Sequence, residues 1–379
     1  MILRGARLRR MQPSALDHQR MEEALALAEA SFGLTEPNPR VGCVIGRADG
    51  RVLGQGATQE AGSAHAEVMT LRQAQAAGYA VAGATVWVTL EPCAHFGRTP
   101  PCCDALIAAH IARCVVALQD PFSQVAGAGV ARMRAAGIEV LLLPADDPLA
   151  QQAREINVGF LSRIERGRPW VRAKLAASAD GRIALTDGRS KWITGEAARA
   201  DGHRWRRRAS AVMTGIGTVL ADDPRLDVRA VATPHQPLRI VLDTHLRLPP
   251  VAALLRPPGQ VLVIAAPGAP ESATRLRDRG AEVWDDWPLG GMPSLHELMQ
   301  RLGTRGVNEV HLEAGPKLTG AMAQADLVDE WLLYLAPILL GPGLPAVEMP
   351  ALGELNLAKR YRWHSTAMVG DDLRLRMTR

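Results

Sequence analysis

The sequence predicts an α/β protein made of two domains in tandem. Three observations carry this reading. At 379 residues the chain is long enough for two cores of ordinary size. Hydrophobic spacing switches repeatedly between helical and strand periods along its length. Glu165-Arg166-Gly167-Arg168-Pro169 has the composition of a linker, and strand-like patterning restarts just after it. The expected division is a flexible leader over residues 1–15, a first domain over 16–164 and a second over 165–379.

The elements follow in order. Residues 14–31 read as an amphipathic helix, with Met21, Leu25, Ala28 and Phe32 on one face and Gly33 as its stop. Pro37 and Pro39 stiffen a loop on either side of Asn38. Residues 41–47 and 51–57 read as strands of a hairpin turning through Asp49-Gly50. A helix is expected over 65–75, a buried strand over 84–90 and a helix after the double proline at 100–101. A strand at 113–119, a helix at 129–136 and a strand at 138–143 complete the alternation. A hairpin followed by alternating helices and strands implies one open sheet covered on both faces. Residues 151–161 read as a single bridging helix.

The second domain opens with a strand at 170–177 and a helix at 196–208, followed by strands at 211–214, 238–242 and 261–265. Helix 294–302, strand 307–313, helix 317–324 and strand 329–336 come next, with two last strands near 361–368 and 372–377. There is no internal repeat.

Hydrophobic content of 47% and charged content of 22% are those of a soluble globular protein. The net charge of +5 is almost wholly arginine, since only four of the 44 basic residues are lysines. The guanidinium fork suits phosphorylated small molecules as well as nucleic acid. Aromatic residues make up only 4%, and the arginines do not alternate with Phe or Tyr, which argues against a single-stranded nucleic-acid surface. Of five cysteines, three (Cys93, Cys102, Cys103) crowd one region. That pattern reads as a reducing compartment and a metal rather than a disulfide framework. No apolar run reaches the roughly 18 residues of a membrane span, and the Arg-rich start lacks the apolar core of a secretory signal. A cytoplasmic protein without membrane or nucleic-acid partners is expected.

The chemistry concentrates in residues 65–103. His65-Ala66-Glu67, then Pro92-Cys93, then Cys102 resembles the His-x-Glu and Pro-Cys signature of zinc-dependent nucleobase deaminases. One difference is plain: eight residues, not two, separate the cysteines. A catalytic zinc keeps three protein ligands and an open position, and His65, Cys93 and Cys102 supply three. Metal brings water toward ionisation at neutral pH, and a carboxylate such as Glu67 moves the proton. A structural site would add a fourth ligand, for which Cys103 is the candidate. Adjacent helical residues diverge by about 100°, however, which favours the catalytic reading. Cys43 and Cys114 lie in strand patterns and read as core.

Two glycine-bearing turns in the second domain, residues 214–220 and 313–320, follow strands and permit close approach of a ligand. Ordinary turn chemistry explains such glycines equally well. The arginines of 203–208 read, for the most part, as a solvated helix face.

Taken together, residues 37–45, His65-Ala66-Glu67 and residues 91–103 resemble the bifunctional deaminase/reductases of riboflavin biosynthesis. So do residues 174–182, Trp192-Ile193-Thr194, residues 219–224 and Glu313-Ala314-Gly315-Pro316. The resemblance covers the chain from about residue 15 onward, and the long gap between the cysteines belongs to it. It implies a cytidine deaminase-like three-layer domain followed by a dihydrofolate reductase-like domain, with one zinc per chain and NADPH as cofactors. It implies Glu67 as proton shuttle, His65, Cys93 and Cys102 as zinc ligands, and Asn38, His95 and Arg98 as deaminase substrate contacts. NADPH contacts would fall on Ala176, Trp192, Thr218, Asp222, Thr244 and the turn Gly315, Pro316, Lys317, Leu318, Thr319, Gly320, Ala321. Reductase substrate contacts would fall on Ser190, Arg206, Leu226, Arg229 and Glu313. A homo-oligomer is expected. One position departs from the family pattern, which has Asp-Pro-Asn where this chain reads Asp120-Pro121-Phe122.

Two rivals are weighed against this reading. A tRNA deaminase with an accessory binding domain would interleave aromatics with its basic residues, and this chain does not. A regulator built on an inactive deaminase fold would have lost Glu67 or a ligand, and all four groups are present.

Overall fold

A computed structural model of the chain describes residues 12–96, 100–122, 126–287 and 291–379. The chain divides into two compact units, one ending at Glu165 and the other beginning at Arg166.

In the first unit α1 (Ala15–Ala30) starts at Ser14, whose hydroxyl and amide form a capping box with Asp17. The hairpin β1 (Gly42–Gly46) and β2 (Val52–Ala57) follows, then α2 (Ala66–Ala76), β3 (Thr85–Val88), α3 (Cys102–Ala108), β4 (Arg113–Val116), α4 (Ala128–Ala135) and β5 (Glu139–Leu142). The sheet order is β2-β1-β3-β4-β5. β1 runs antiparallel to both neighbours, whereas β3, β4 and β5 are parallel. Helices cover both faces, making three layers. Close packing on each face depends on glycine. A Cβ on Gly42 would lie 1.8 Å from the carbonyl oxygen of Ala24 in α1, and one on Gly54 would lie 2.6 Å from that of Thr70 in α2.

Residues 151–161 are not one helix. α5 (Pro148–Ile156) and α6 (Val158–Arg166) are separated at Asn157, whose side chain is used elsewhere. Its Oδ1 accepts from the Arg40 amide (2.8 Å) and its Nδ2 donates to the Arg40 carbonyl (2.9 Å). The expected linker is also shorter than its composition suggests, because α6 continues to Arg166 before Gly167 turns the chain at φ +67°.

The second unit contains β6 (Trp170–Ser178), β7 (Arg182–Leu185), α7 (Glu196–Arg208), β8 (Ala211–Gly215), α8 (Ile216–Asp222), β9 (Leu238–Leu242) and β10 (Val261–Ile264). α9 (Pro270–Arg277), β11 (Glu282–Trp284), α10 (Leu295–Thr304), β12 (Glu309–Leu312), α11 (Pro316–Gln324), β13 (Glu330–Ala336), β14 (Gly343–Pro345), β15 (Arg362–Val369) and β16 (Asp372–Thr378) follow. The main sheet has nine strands in the order β11-β10-β9-β8-β12-β6-β13-β16-β15. Strands β11 through β13 are parallel, and the β15–β16 hairpin closes one edge antiparallel. The 214–220 turn expected from its glycines is largely the helix α8, entered directly from β8 with Gly215 as its cap.

α1 is fastened to the first sheet by one carboxylate. Asp17, buried, accepts from Trp87 Nε1 (2.8 Å) and from both terminal nitrogens of Arg113 (2.6 and 3.0 Å). Burial alone would raise its pKa, but the Arg113 guanidinium and the other donors outweigh that and hold it well below the usual carboxylate range. The sign follows: this contribution is complete above about pH 4 and is lost as pH falls through the folded pKa. Asp17→Asn is expected to cost roughly 2–4 kcal/mol at neutral pH. Hydrogen exchange of the α1 amides is the measurement, and its excess over wild type should shrink on acidification.

Candidate active sites

The first site forms where β3 ends. Because β1 is antiparallel to β3, the loop leading into β1 and the turn after β3 meet at this end of the sheet. Gly42 N–H donates to Thr89 Oγ1 (3.1 Å), and Thr89 N–H donates to the Gly42 carbonyl (3.1 Å). His65 is the N-cap of α2, with extended backbone that turns its ring away from the helix. Cys93 lies on the turn after β3, and Cys102 opens α3 after the double proline.

These three side chains converge. His65 Nδ1 is 3.1 Å from Cys102 Sγ and 3.6 Å from Cys93 Sγ, and the Cys102 N–H donates to Cys93 Sγ at 3.3 Å. Their ligand atoms all lie within 4.8 Å of one another, the sole such group among the described residues. Hydrogen bonding from Cys102 pulls the Cys93 pKa down, and the same contact pushes that of Cys102 up. Glu67 is buried in the first turn of α2, where burial raises its carboxyl to about 7 and the Cys102 thiol hydrogen-bonds to it.

One imidazole and two sulfurs, mostly buried, with a carboxylate beside them, are a donor set that fits a three-ligand zinc. Cys103 is no fourth ligand. It belongs to the hydrophobic core, and its thiol donates to Asp104 Oδ1 at 3.7 Å. Cys43 and Cys114 are fully buried, as their strand positions imply.

The expected substrate contacts of this site fall differently. Asn38 sits half-buried in the loop before β1, its amide bonded to the Thr35 carbonyl (2.9 Å). His95 is exposed, and its charge helps hold down the Asp120 carboxyl, which burial raises. Arg98 lies outside the described residues. Phe122, at the departing position, is 42% exposed and donates its N–H to Asp120 Oδ1 (2.9 Å).

The second site lies at the carboxyl edge of the parallel strands, the usual ligand edge of open α/β sheets. Arg206 reaches from α7 to Glu313, just past β12, with Nη2 2.9 Å from Oε2, and its Nη1 donates to the Asp227 carbonyl (3.0 Å). Leu226 is buried with φ +54° beside Asp227, which pairs with Arg229 (2.7 Å) and Arg225 (2.6 Å). Burial would raise the pKa of Glu313, but Arg206 outweighs it and keeps the carboxylate well below its ordinary range. His203 accepts from the Arg229 N–H (3.4 Å), and burial together with Arg206 pushes it down to about 4. Lys174, in β6 on the same face, is lowered by burial.

The cofactor candidates collect along this edge. Gly315 N–H donates to Thr218 Oγ1 (3.2 Å), joining the two glycine turns. Asp222 Oδ1 lies 4.0 Å from Lys191, between Ser190 and the exposed Trp192, whose ring is covered by Arg199 at 4.5 Å. Thr244 follows β9, and Ala176 lies near the carboxyl end of strand β6, opposite Tyr334. In the 315–321 turn, Lys317 and Ala321 are exposed and Pro316 and Leu318 half-buried, whereas Thr319 is buried and Gly320 presses on the Glu348 backbone. α11 begins at Gly315 without a side-chain cap, and a Cβ on Gly217 would meet nothing within 4 Å. Open glycine backbone beside uncapped helix amides fits the phosphates of a dinucleotide.

The solvated reading of 203–208 is overturned. Arg204 is exposed, but Arg206 turns to Glu313 and Arg208 to the buried Glu309 at 3.0 Å. Carboxylates buried on the sheet face draw these arginines inward. Glu91, Asp227, His203 and His311 were not assigned from sequence. Their partners are tens of residues away or lie in turns without a spacing signature.

Residues 14–118 match the cytidine and deoxycytidylate deaminase zinc-binding region, and residues 169–369 match the RibD C-terminal domain. The riboflavin biosynthesis protein RibD of Escherichia coli is 40% identical over 95% of this chain and 99% of its own length. The chain belongs to the RibD family. The RibD protein of Aquifex aeolicus is 37% identical over 94% of this chain and 97% of its own. Among solved structures, Acinetobacter baumannii RibD superposes with a TM-score of 0.83 at 41% identity, covering 96% of this chain and 98% of its own. A deaminase/reductase from Thermotoga maritima gives 0.84 at 30% identity with the same coverage. As a RibD family member the chain is a bifunctional deaminase and reductase of riboflavin biosynthesis that uses zinc and NADPH. Its halves are a cytidine deaminase-like domain and a reductase domain of dihydrofolate reductase type.

The ligand assignment makes a direct prediction. Cys102→Ser should lose the zinc of each chain in metal analysis, whereas Cys103→Ser should retain it. The second variant should instead lose about 1–3 kcal/mol of stability from a hydroxyl placed in the core.

Proposed function

We propose that the first unit hydrolyses the 2-amino group of 2,5-diamino-6-(5-phosphoribosylamino)pyrimidin-4-one, and that the second reduces the ribosyl chain of the product to ribityl. We assign the deaminase to residues 16–164 and the reductase to residues 165–379. The convergence of His65, Cys93 and Cys102, with the Glu67 carboxyl buried beside them, carries this reading. The same chemistry is named for the deaminase/reductase of Thermotoga maritima.

His65, Cys93 and Cys102 would hold a zinc ion, which would supply the Lewis acidity that lets water ionise near neutral pH. Glu67 takes the proton from that water and passes it to the departing amino nitrogen, which leaves as ammonia. Asn38 orients the pyrimidine, and His95 and Arg98 bind its phosphate. In the second unit the hydride would come from bound NADPH. Ala176, Trp192, Thr218, Asp222, Thr244 and the 315–321 turn hold it. Arg206 and Arg229 grip the substrate phosphate in charge-assisted bonds, with Ser190, Leu226 and Glu313 completing the pocket.

Among the described residues no helix is long and apolar enough to cross a membrane. The chain acts in the cytoplasm on a small molecule, and as a dimer or tetramer. Leu339, Leu355, Trp363 and Met368 of the second unit, each more than 60% exposed in the single chain, support self-association.

Product mass tests the whole reading. Incubation with the diaminopyrimidine phosphate should raise its mass by about one unit, and by about two more once NADPH is added, because an NH2 becomes OH and two hydrogens follow. Glu67→Gln should retain one zinc per chain yet lose roughly 100- to 10,000-fold of the first step. Reduction of the deaminated compound should be unchanged. Near-normal ammonia release by this variant would remove Glu67 from the mechanism.

A further inference from the structure

Glu91 is buried beside the first site, two residues before Cys93, and the chemistry above does not use it. Its carboxylate accepts three backbone hydrogen bonds. Oε2 takes the amides of Asp120 (3.2 Å) and Gly127 (3.0 Å), and Oε1 takes that of Val130 (3.0 Å). Its own N–H donates to the Leu118 carbonyl at 2.8 Å. Gly127 and Val130 are the N-cap and third residue of α4, a helix whose glycine cap has φ +78° and no side chain to satisfy those amides. The cap arrives instead from the ligand turn, where a carboxylate also suits the helix dipole.

The turn and the helix are in close contact as well. A Cβ on Gly129 would lie 2.0 Å from the Pro92 carbonyl oxygen. On its other side Cys93 is held by α3, since its carbonyl accepts the Cys103 amide (3.2 Å) and its sulfur the Cys102 amide (3.3 Å). The Pro92-Cys93 turn is therefore clamped from two directions, by α3 and by Glu91 with α4.

We infer that Glu91 is a positioning residue of the deaminase centre, locking the Cys93 turn and the 120–122 segment into one rigid wall around the metal and the pyrimidine. The inference rests on the reading of His65, Cys93 and Cys102 as zinc ligands. Metal–ligand distances tolerate only about 0.2 Å of error. Displacing the anchor of one ligand therefore weakens binding even when the ligand itself is intact. Asp120 donates its N–H to the same carboxylate and accepts the Phe122 N–H (2.9 Å), so the 120–122 segment is tied to the turn.

The test uses the full-length, zinc-loaded chain. Glu91→Gln keeps the side chain's volume but turns an NH2 group against at least one of the three amide donors. Zinc should then be lost to a competing chelator about 10- to 100-fold more readily than from wild type. The KM of the deaminase should rise, while NADPH-dependent reduction of the deaminated compound stays at the wild-type rate and reports an intact second unit. Gly129→Ala, which pushes the same turn from α4 with the carboxylate intact, should weaken zinc in the same direction. If Glu91→Gln melts at lower temperature but holds zinc as tightly as wild type with unchanged KM, Glu91 is only a helix cap and the inference falls. Wild-type protein that binds no zinc would overturn the metal-centre reading itself.

Discussion

In the second unit the guanidinium of Arg172 lies 2.9 Å from a carboxylate oxygen of Glu309 on one side and of Glu330 on the other, all three without meaningful exposure. Arg208 and Arg376 close the ends of this row, at 3.0 and 2.7 Å. Strands β12, β6 and β13 each contribute a member, so no strand can slip without stranding a buried charge. Trp205 of α7 stacks on Arg172 at 4.5 Å and seats that helix over the charged face. Side chains alternate across a strand, so the face that carries Arg172 also carries Lys174 and Ala176, and the face with Glu309 carries His311 and Glu313. The site is therefore the carboxyl end of a continuous polar stripe. The opposite face of the same strands, with Val171, Ala173, Val310 and Leu312, is apolar core. A row of this kind is weak evidence for net stability, but it sets register, and register decides which residues arrive at the edge.

The first unit solves the same problem with fewer charges. Asp17 joins α1 to β3 and β4, and Gly42 lets the helix backbone touch the strand. With α1 and α2 held against opposite faces, the ends of β1 and β3 carry the ligand turns. The metal donors come from a helix cap, a turn and a helix start. Each is a place where backbone direction changes and a side chain can point away from its element. That explains how His65 and Glu67, two residues apart, both lie beside the two thiols.

The group that converges was legible because each member sits at a local boundary that sequence marks: His65 at the start of a helical run, Cys93 after a buried strand, Cys102 after two prolines. Most helices and strands were legible for the same reason. Contacts spanning the chain were not. Asp17 meets Arg113 96 positions away, and Arg206 meets Glu313 107 positions away, with no periodicity to announce either pair. The arginine run in α7 was misjudged because a charged helix face is usually solvated, and only the buried carboxylates beneath it reverse that rule. α8 was hidden by its glycines, and the break at Asn157 by a side chain that pairs with the Arg40 backbone as well as with the Ala153 carbonyl of α5.

The balance of charge at the reductase edge carries the argument one step further. Around Arg206, the cations Lys174, Arg225 and Arg229 share two carboxylates, Asp227 and Glu313. Two histidines stand close by, and both are held neutral: His203 near 4, and His311 near 3, chiefly by burial. Neither changes charge across the range where a cell works. The excess of positive charge is therefore set by arginine and lysine, with the histidines contributing shape. That excess is built from guanidinium groups already paired and oriented by Asp227 and Glu313. Preorganised donors of this kind lose little freedom when a ligand arrives. The buried row under α7 and the positive excess at its end are thus one electrostatic construction, with Trp205 and Arg206, adjacent on a single helix, serving its two halves.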